Sequence, residues 1–233
     1  MTLKRITTAL VLSGIISQPI MAQELTISIT NLTHGNDFTP ILIAAHDADT
    51  HLFEVGTMAS TALQKMAEGG DINDLDNMII ANDGITLVNP AEGLLAPGVN
   101  IQHIILDAKN QSHLSITAMM LPTNDAFIGL DAWPIPSTAG TYSFTLNAYD
   151  AGTEANDELI NGGGTLGTPG LPAAPQGDGG SNGTGLTDMS SNSNIHIHPG
   201  ILGDMDPNGG ISDLDSRVHR WLNPVAQVTV VVK

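Results

Sequence analysis

Residues 118–153 read AMMLPTNDAFIGLDAWPIPSTAGTYSFTLNAYDAGT, and two strand-like runs in this segment each lead into an acidic loop. The apolar run 119–121 enters a loop that contains Asp125, and the alternating run 142–149 delivers Asp150. Alternation with a period of two predicts half-buried strands. If these strands are neighbours, their carboxylates meet at one end of a β-sandwich. Oxygen ligands on such loops suit Ca²⁺, which takes six to eight of them.

The rest of the chain supports an all-β fold, an antiparallel β-sandwich with long acidic and Gly-rich loops and one or two short helices. We expect a helix capped by Ser60 and stopped by Gly70, and a second helix or turn near Asn73. Hydrophobic patterning predicts further strands at residues 25–29, 41–45, 99–107, 114–121 and 225–232. We expect the runs 99–107 and 114–121 to form a hairpin.

The predicted domain organisation is one secreted domain. Residues 1–22 combine Lys4 and Arg5 with an apolar run that is too short for a bilayer, which predicts a signal peptide. Residues 23–233 are then expected to form a single domain. Within it, the Gly-, Pro- and Ser-rich segment 162–193 is expected to be a long exposed loop, ordered in part at best. An interdomain linker is the alternative, disfavoured because the last strand completes the sandwich.

Composition narrows the classes of partner. The formal net charge is −17, and it becomes more negative when Lys4 and Arg5 leave with the signal peptide. So acidic a chain excludes nucleic acid as a partner and favours divalent cations, although solubility in a salty environment explains the charge equally well. There is no cysteine, so disulfides cannot stabilise an exported fold. We predict an exported protein, periplasmic or extracellular, without a membrane span.

Two motifs carry a resemblance to the spondin domain of F-spondin and mindin. Residues 122–129 are similar to the family segment P-S-P-D-W-x-V-G, and residues 149–154 match its Y-D-A-G-T-[DE] motif closely. Weaker similarity extends from 27–31 through 38–40 to 223–228. The resemblance implies a calcium-binding β-sandwich that binds an extracellular protein or matrix component and is not an enzyme. The animal members also carry cysteines and thrombospondin-type repeats, which this chain lacks.

The resemblance also implies site residues. It places Asp125, Asp150 and Glu154 at acidic positions that help to hold Ca²⁺ together with backbone carbonyls, and Asp157 is close enough in sequence to join them. The alternative is that Asp150 only forms a turn with Ala151 and Gly152 through its own side chain.

A second candidate calcium loop spans residues 204–215, DMDPNGGISDLD. Its spacing fits the twelve-residue calcium loop, with oxygens at positions one, three and five, Gly at six and an acid at twelve. The expected ligands are Asp204, Asp206, Asn208 and Asp215. The last is Asp where the pattern has Glu, and the preceding residues 195–199 do not favour a helix. An acidic surface turn is the alternative.

Histidines provide a different metal hypothesis. His196 and His198 are two apart on a predicted strand, so both rings share a face and could bind Cu or Zn, with His219 and possibly His46 or His51 completing the site. The alternative is that these rings pack beside Trp221 and bond to loop carbonyls. This view predicts a periplasmic transition-metal protein or small metalloenzyme.

The sequence contains no recognisable catalytic set. It has no cysteine nucleophile, no G-x-S-x-G, no HExxH and no phosphate loop. We therefore predict neither catalytic nor cofactor-binding residues. The leading hypothesis is an exported, non-catalytic calcium-binding module for adhesion or matrix interaction.

Overall fold

A computed structural model describes residues 23–188 and 191–233. The predicted signal peptide, 1–22, lies outside the described residues. These described residues form two short helices and ten strands, in the order β1 (Glu24–Asn31), β2 (Asp37–Phe38), β3 (Leu42–His46), α1 (Thr61–Gly69), α2 (Asn73–Ala81), β4 (Ile85–Val88), β5 (Asn100–Asp107), β6 (His113–Leu121), β7 (Ala126–Pro134), β8 (Gly140–Asp150), β9 (His196–Ile197) and β10 (Ala226–Val232). The all-β prediction is confirmed.

The strands form one antiparallel sheet in the order β4-β3-β6-β7-β8-β10-β1-β5, which folds into two facing layers. Strand β8 belongs to both layers. Its first seven residues pair with β10, from Gly140 opposite Val232 to Leu146 opposite Ala226, and its last four pair with β7. The strand that carries Asp150 therefore turns the sheet from one layer into the other.

Two hydrophobic cores flank the β6 and β7 layer. The larger core lies between the layers and combines the inward residues of β1, β5 and β10 with those of β3, β6 and β7. The smaller core packs α1 and α2 onto the outer face of β3, β6 and β7, around Phe127. Strand β6 is consequently buried on both faces, which is why its sequence is apolar almost throughout.

Local signals placed the helices correctly. The Ser60 hydroxyl accepts a hydrogen bond from the Leu63 amide at the start of α1, and Gly70 ends the helix with a left-handed φ of 72°. The C-terminal strand is also confirmed, because β10 is central, between β1 and β8.

The predicted hairpin of residues 99–107 and 114–121 is wrong. Strand β5 pairs with β1 at the edge of one layer, whereas β6 pairs with β3 and β7 in the other. The reason is burial. Strand β5 has a solvated face and suits an edge, but β6 is apolar on both faces and requires a covered central position.

Part of the Gly-rich segment packs against the sandwich. Leu171 is fully buried and pairs in a bridge with Ile160, and the Gln176 side chain donates to both oxygens of Asp37. Backbone amides of Gly167 and Gly170 donate to Glu68 and Glu154. Glycine lets this backbone come close to carboxylates, so hydrogen bonds, together with the buried Leu171, hold the described part of the segment.

Candidate metal site

The acidic loops meet because β7 lies between β6 and β8. The sequence suggested that the strands preceding the two loops are direct neighbours, but β7 separates them. Strand β7 starts at Ala126, opposite Asp150. Asp125 immediately precedes β7, and its carbonyl oxygen accepts a hydrogen bond from the Ala151 amide at 3.3 Å. The register of one strand pair thus places Asp125 beside Asp150.

Asp125 is completely buried, and only one of its two carboxylate oxygens is hydrogen bonded. Oδ2 accepts from the amides of Thr153 (2.8 Å) and Glu154 (3.1 Å) and from the Thr153 hydroxyl (3.2 Å). Oδ1 has no partner among the described residues. A buried carboxylate oxygen without a partner is costly and requires a physical explanation.

Asp150 forms the turn that the sequence suggested and also contacts its neighbours. Its Oδ1 accepts from the Gly152 amide at 2.7 Å, and its Oδ2 accepts from the Asn156 side chain at 2.8 Å. Gly152 has a φ of 70°, and a Cβ there would lie 2.6 Å from the Ser193 carbonyl carbon. Glycine is therefore required at this position of the D-A-G-T motif.

Glu154 repeats the pattern seen at Asp125. Its Oε2 accepts from the Gly170 amide (3.2 Å) and the Asn124 side chain (3.4 Å), whereas its Oε1 is buried without a partner among the described residues. Asp157 lies next to it, since its Oδ1 accepts from the same Asn124 amide at 2.9 Å. The four predicted carboxylates therefore lie in one neighbourhood.

Burial of this uncompensated charge changes the acid strength of two groups. Removal from water, and then the nearby charge of Asp150, raise the pKa of Asp125 to about 7. Burial also raises the pKa of Glu154 to about 7, with Glu68 and Asp125 adding repulsion. Among the described residues, no Lys or Arg forms an ion pair with any of the four carboxylates.

The donor set fits a hard cation. Carboxylate oxygens are the ligands that Ca²⁺ prefers, and two of them here are buried and unpartnered. In the described part of the chain, no three Asp, Glu or His side chains are close enough to hold a metal ion by themselves. In this conformation a calcium ion at the site would therefore contact at most two of Asp125, Asp150 and Glu154, and backbone oxygens or water would complete its shell.

The second candidate loop, 204–215, satisfies its own carboxylates. Asp204 accepts from the amides of Asp206 (2.8 Å), Ile211 (2.7 Å) and Ser212 (3.0 Å). These bonds hold the pKa of Asp204 below its usual value.

The other predicted ligands of this loop are exposed or paired. Asp206 is exposed, and its Oδ1 accepts from the amide of Asn208. Asp215 binds the Arg217 guanidinium, which lowers the pKa of Asp215 to about 2. The predicted ligands thus have protein partners or face solvent, as in an acidic surface turn.

The histidines divide into separate environments. His196 and His198 do share a face, with Nε2 atoms 3.8 and 4.0 Å from Asp150 Oδ2. His219 bonds Asp178 and the Asp215 amide instead, His46 bonds Ser115, and His51 bonds Asp131.

The buried ring of His198 has both nitrogens in use. Nδ1 accepts from the Gly200 amide, Nε2 contacts Asn156 Oδ1 at 3.2 Å, and the ring packs 5.1 Å from Trp221. Burial lowers the pKa of His198 to about 4, so the ring is neutral. This arrangement matches the packing role considered for these histidines beside Trp221.

Three polar residues in or next to the acidic site were not predicted from the sequence. Asn124 and Asn156 bind the carboxylates through their side-chain amides, and Glu158 is buried with both oxygens bonded to Leu202, Gly203 and Ser212. All three lie within a few residues of the motifs already recognised. That proximity was the available signal, but Asn124 and Glu158 bind partners that are 30 or more residues away in the sequence.

No helix in residues 23–188 or 191–233 is long and apolar enough to cross a membrane. No curated protein matches the chain. The family model Spondin_N matches residues 29–162, more than half of the chain, and this range contains Asp125, Asp150 and Glu154. The chain therefore belongs to the spondin N-terminal domain family, whose members are typically extracellular and generally non-enzymatic.

Proposed function

We propose that this protein is an exported calcium-binding module of spondin type that contributes to adhesion or matrix contacts. One observation carries the calcium part of the proposal. Asp125 Oδ1 and Glu154 Oε1 are buried and unpartnered within the described residues, in a site where no Lys or Arg compensates the charge. A cation bound at either oxygen would supply the partner that this oxygen lacks.

Calcium is favoured over the other cations by the type of ligand. The unpartnered atoms are carboxylate oxygens on loops, and Ca²⁺ accepts an irregular shell of oxygens, whereas Mg²⁺ demands a near-ideal octahedron. Copper and zinc would rely on imidazoles, but both nitrogens of His198 and of His219 are already hydrogen bonded. Binding at those rings would first have to break protein contacts.

Calcium at this position would connect three parts of the chain. Asp125 lies before β7, Asp150 ends β8, and Glu154 holds the Gly-rich segment through the Gly170 amide. An ion bound to two of these carboxylates, with backbone oxygens or water as its other ligands, would stabilise the segments that carry them. In a chain without cysteine, bound metal is one substitute for disulfides.

The proposed adhesion role is supported by family membership, and the sequence contains no recognisable catalytic set that would favour an enzyme. Loops stabilised by calcium supply a rigid surface for an extracellular partner. We expect the purified protein to bind its native cell surface or matrix with calcium and to lose that binding in chelator.

The calcium assignment is tested by elemental analysis and by calorimetric titration of calcium into chelator-treated protein. Wild type is compared with Asp125→Asn, which keeps the shape of the side chain and removes its charge. The control is Asp71→Asn, at an exposed aspartate whose Oδ1 caps Asn73 far from the site in sequence.

We expect the wild type and Asp71→Asn to bind calcium alike and Asp125→Asn to lose at least a tenfold factor in affinity, about 1.4 kcal/mol. Equal calcium affinity in all three proteins would refute the site. Calcium binding without any effect on attachment would retain the site and refute the adhesion role.

A further inference from the structure

A cleft of about 450 Å³ opens on the outer face of β7 and β8, beside the helical layer. The smaller core covers this face as far as Phe127 and Tyr149, and the next outward residues, Gly129 and Asn147, lie opposite each other in the cleft. The loop that contains His51 and Glu54 forms the other wall. A volume of this size is typical of small-ligand sites.

Gly129 makes the floor of this cleft. It lies in the middle of β7, where glycine weakens a strand and marks a close approach. A Cβ at Gly129 would lie 2.4 Å from Phe53 Cζ and 3.1 Å from Tyr149 Cδ2. The missing side chain therefore lets two aromatic rings close over the strand. Phe53 is buried there, and the half-buried Tyr149 is the ring that is accessible from the cleft.

His51 and Asp131 are held rigidly at one side. The His51 Nδ1 atom lies 2.5 Å from Asp131 Oδ2, while Asp131 Oδ1 accepts from the Leu52 amide at 3.0 Å and lies 3.5 Å from the Phe53 amide. These contacts fix the loop and the imidazole together. They use both oxygens of Asp131 and leave His51 Nε2 as the polar ring atom for a ligand.

Apart from Glu54 on the loop, the other polar side chains of the cleft are uncharged and lie on one strand. Thr145, Asn147 and Tyr149 alternate along the outer face of β8, and the Tyr149 side chain is hydrogen bonded to that of Asn147. Together with His51 they present two hydroxyls, an amide and an imidazole next to aromatic rings. Such a mixture of donors and acceptors suits vicinal hydroxyl groups better than it suits a cation.

We propose that this cleft binds a neutral saccharide unit, with Asn147, His51 and Thr145 hydrogen bonding its hydroxyls. Tyr149 contributes a further hydrogen bond through its hydroxyl, and its ring contacts the apolar face of the sugar. Acidic glycans are disfavoured because Glu54 and Asp131 line the cleft and the whole chain carries a formal net charge of −17. The site is separate from the proposed calcium site. Tyr149 and Asp150 are successive strand residues, so their side chains point to opposite faces.

The test uses the signal-cleaved, ¹⁵N-labelled protein titrated with neutral glucose-, galactose- and N-acetylglucosamine-based oligosaccharides, and with a glucuronate oligosaccharide as the charged comparison. Amide shifts report the location and affinity of binding. Two variants probe the cleft: Asn147→Ala, and Tyr149→Phe, which keeps the ring packing. The control is Ser143→Ala, on the same face of β8 but outside the cleft, where Ser143 bonds Thr229.

We expect at least one neutral oligosaccharide to shift the amides of Gly129 and Asn147, and the glucuronate probe to bind more weakly. Loss of one ligand hydrogen bond in Asn147→Ala or Tyr149→Phe should weaken binding about fivefold, with Ser143→Ala unchanged. The proposal is overturned if no neutral probe shifts the cleft, if both cleft variants bind like wild type, or if the charged probe binds better.

Discussion

The Asp125–Asp150 site and the 204–215 loop are both rich in aspartate, but their carboxylates have different surroundings. Asp125 lies between strand ends, fully buried, with one oxygen unpartnered within the described chain and a pKa raised to about 7. Asp204 lies in a tight loop whose own amides occupy its oxygens, and its pKa is lowered. Burial without compensation favours a bound cation, whereas a loop that bonds its own carboxylates needs none.

The comparison also shows why a good motif match is weak evidence for a metal. The 204–215 loop matches a calcium-loop spacing better than the strand-end site does. Spacing alone does not reveal whether amides or solvent already satisfy the oxygens. The family motif around Asp150 is less regular, yet it leads to the site with unpartnered oxygens.

The largest expected effect is that of Asp125→Asn on the free energy of unfolding, which should differ between calcium and chelator. In saturating calcium, Asp125→Asn should lower the free energy of unfolding by about 3 kcal/mol, since it removes the stabilisation given by a ligand near one hundred times its dissociation constant. In chelator at pH 8, the same substitution should be neutral or stabilising, because it removes an uncompensated buried charge. Urea unfolding in the two conditions measures both. A loss of equal size with and without calcium would contradict this expectation.

A smaller effect is expected at the buried carboxylate that needs no metal. Glu158 accepts from Leu202, Gly203 and Ser212, and its substitution by Gln should cost about 2 kcal/mol with or without calcium. Glu92→Gln is a matched control, since Glu92 has the same φ of 57° but is exposed. Chemical denaturation of both variants provides the measurement. If the loss of stability in Glu158→Gln depended on calcium, Glu158 would not differ from Asp125 in its need for a metal ion.

The third prediction concerns pH in the calcium-free protein. Asp125 and Glu154 have pKa values of about 7 when folded, above those of unfolded chains, so the folded state holds more protons and stability falls as pH rises through 7. The lowered pKa of His198 makes stability change with pH in the opposite direction, but mainly below about pH 6.5. Between about pH 6.5 and 8, the wild type should lose about 1 kcal/mol. Asp125→Asn should lose less, and calcium should remove the dependence. Stability that rises with pH in this window would exclude the assignment.

The smallest effect is expected in the second loop. Asp206 is exposed, and its Oδ1 accepts a hydrogen bond from the Asn208 amide. The side-chain oxygen of an Asn at position 206 can accept the same bond. Asp206→Asn should change stability by less than about 0.5 kcal/mol. It should leave the difference in melting temperature between calcium and chelator unchanged. A reduced calcium response in thermal melts would show that the 204–215 loop binds calcium as well.

Much of the local structure could be predicted from particular residues. Ser60 and Gly70 bound α1 because capping depends on the neighbouring amides and on a left-handed φ, which are local properties. The alternation in β8 and the β-branched run of β10 gave both strands correctly. Pairing was less predictable. The expected β5–β6 hairpin fails because the two strands differ in how many faces they bury, and burial depends on the whole sandwich.

The candidate site divides in the same way. The sequence by itself determined which residues carry the charge, that Asp125 and Asp150 follow strand-like runs, and that Gly152 permits the turn after Asp150. Only the tertiary structure decided that β7 brings Asp125 beside Asp150, that the Gly170 amide of the Gly-rich segment donates to Glu154, and that Asp204 is satisfied by its own loop. The physical reason is that residue type and turn geometry are local, whereas burial and hydrogen-bond partners depend on segments that are distant in the chain.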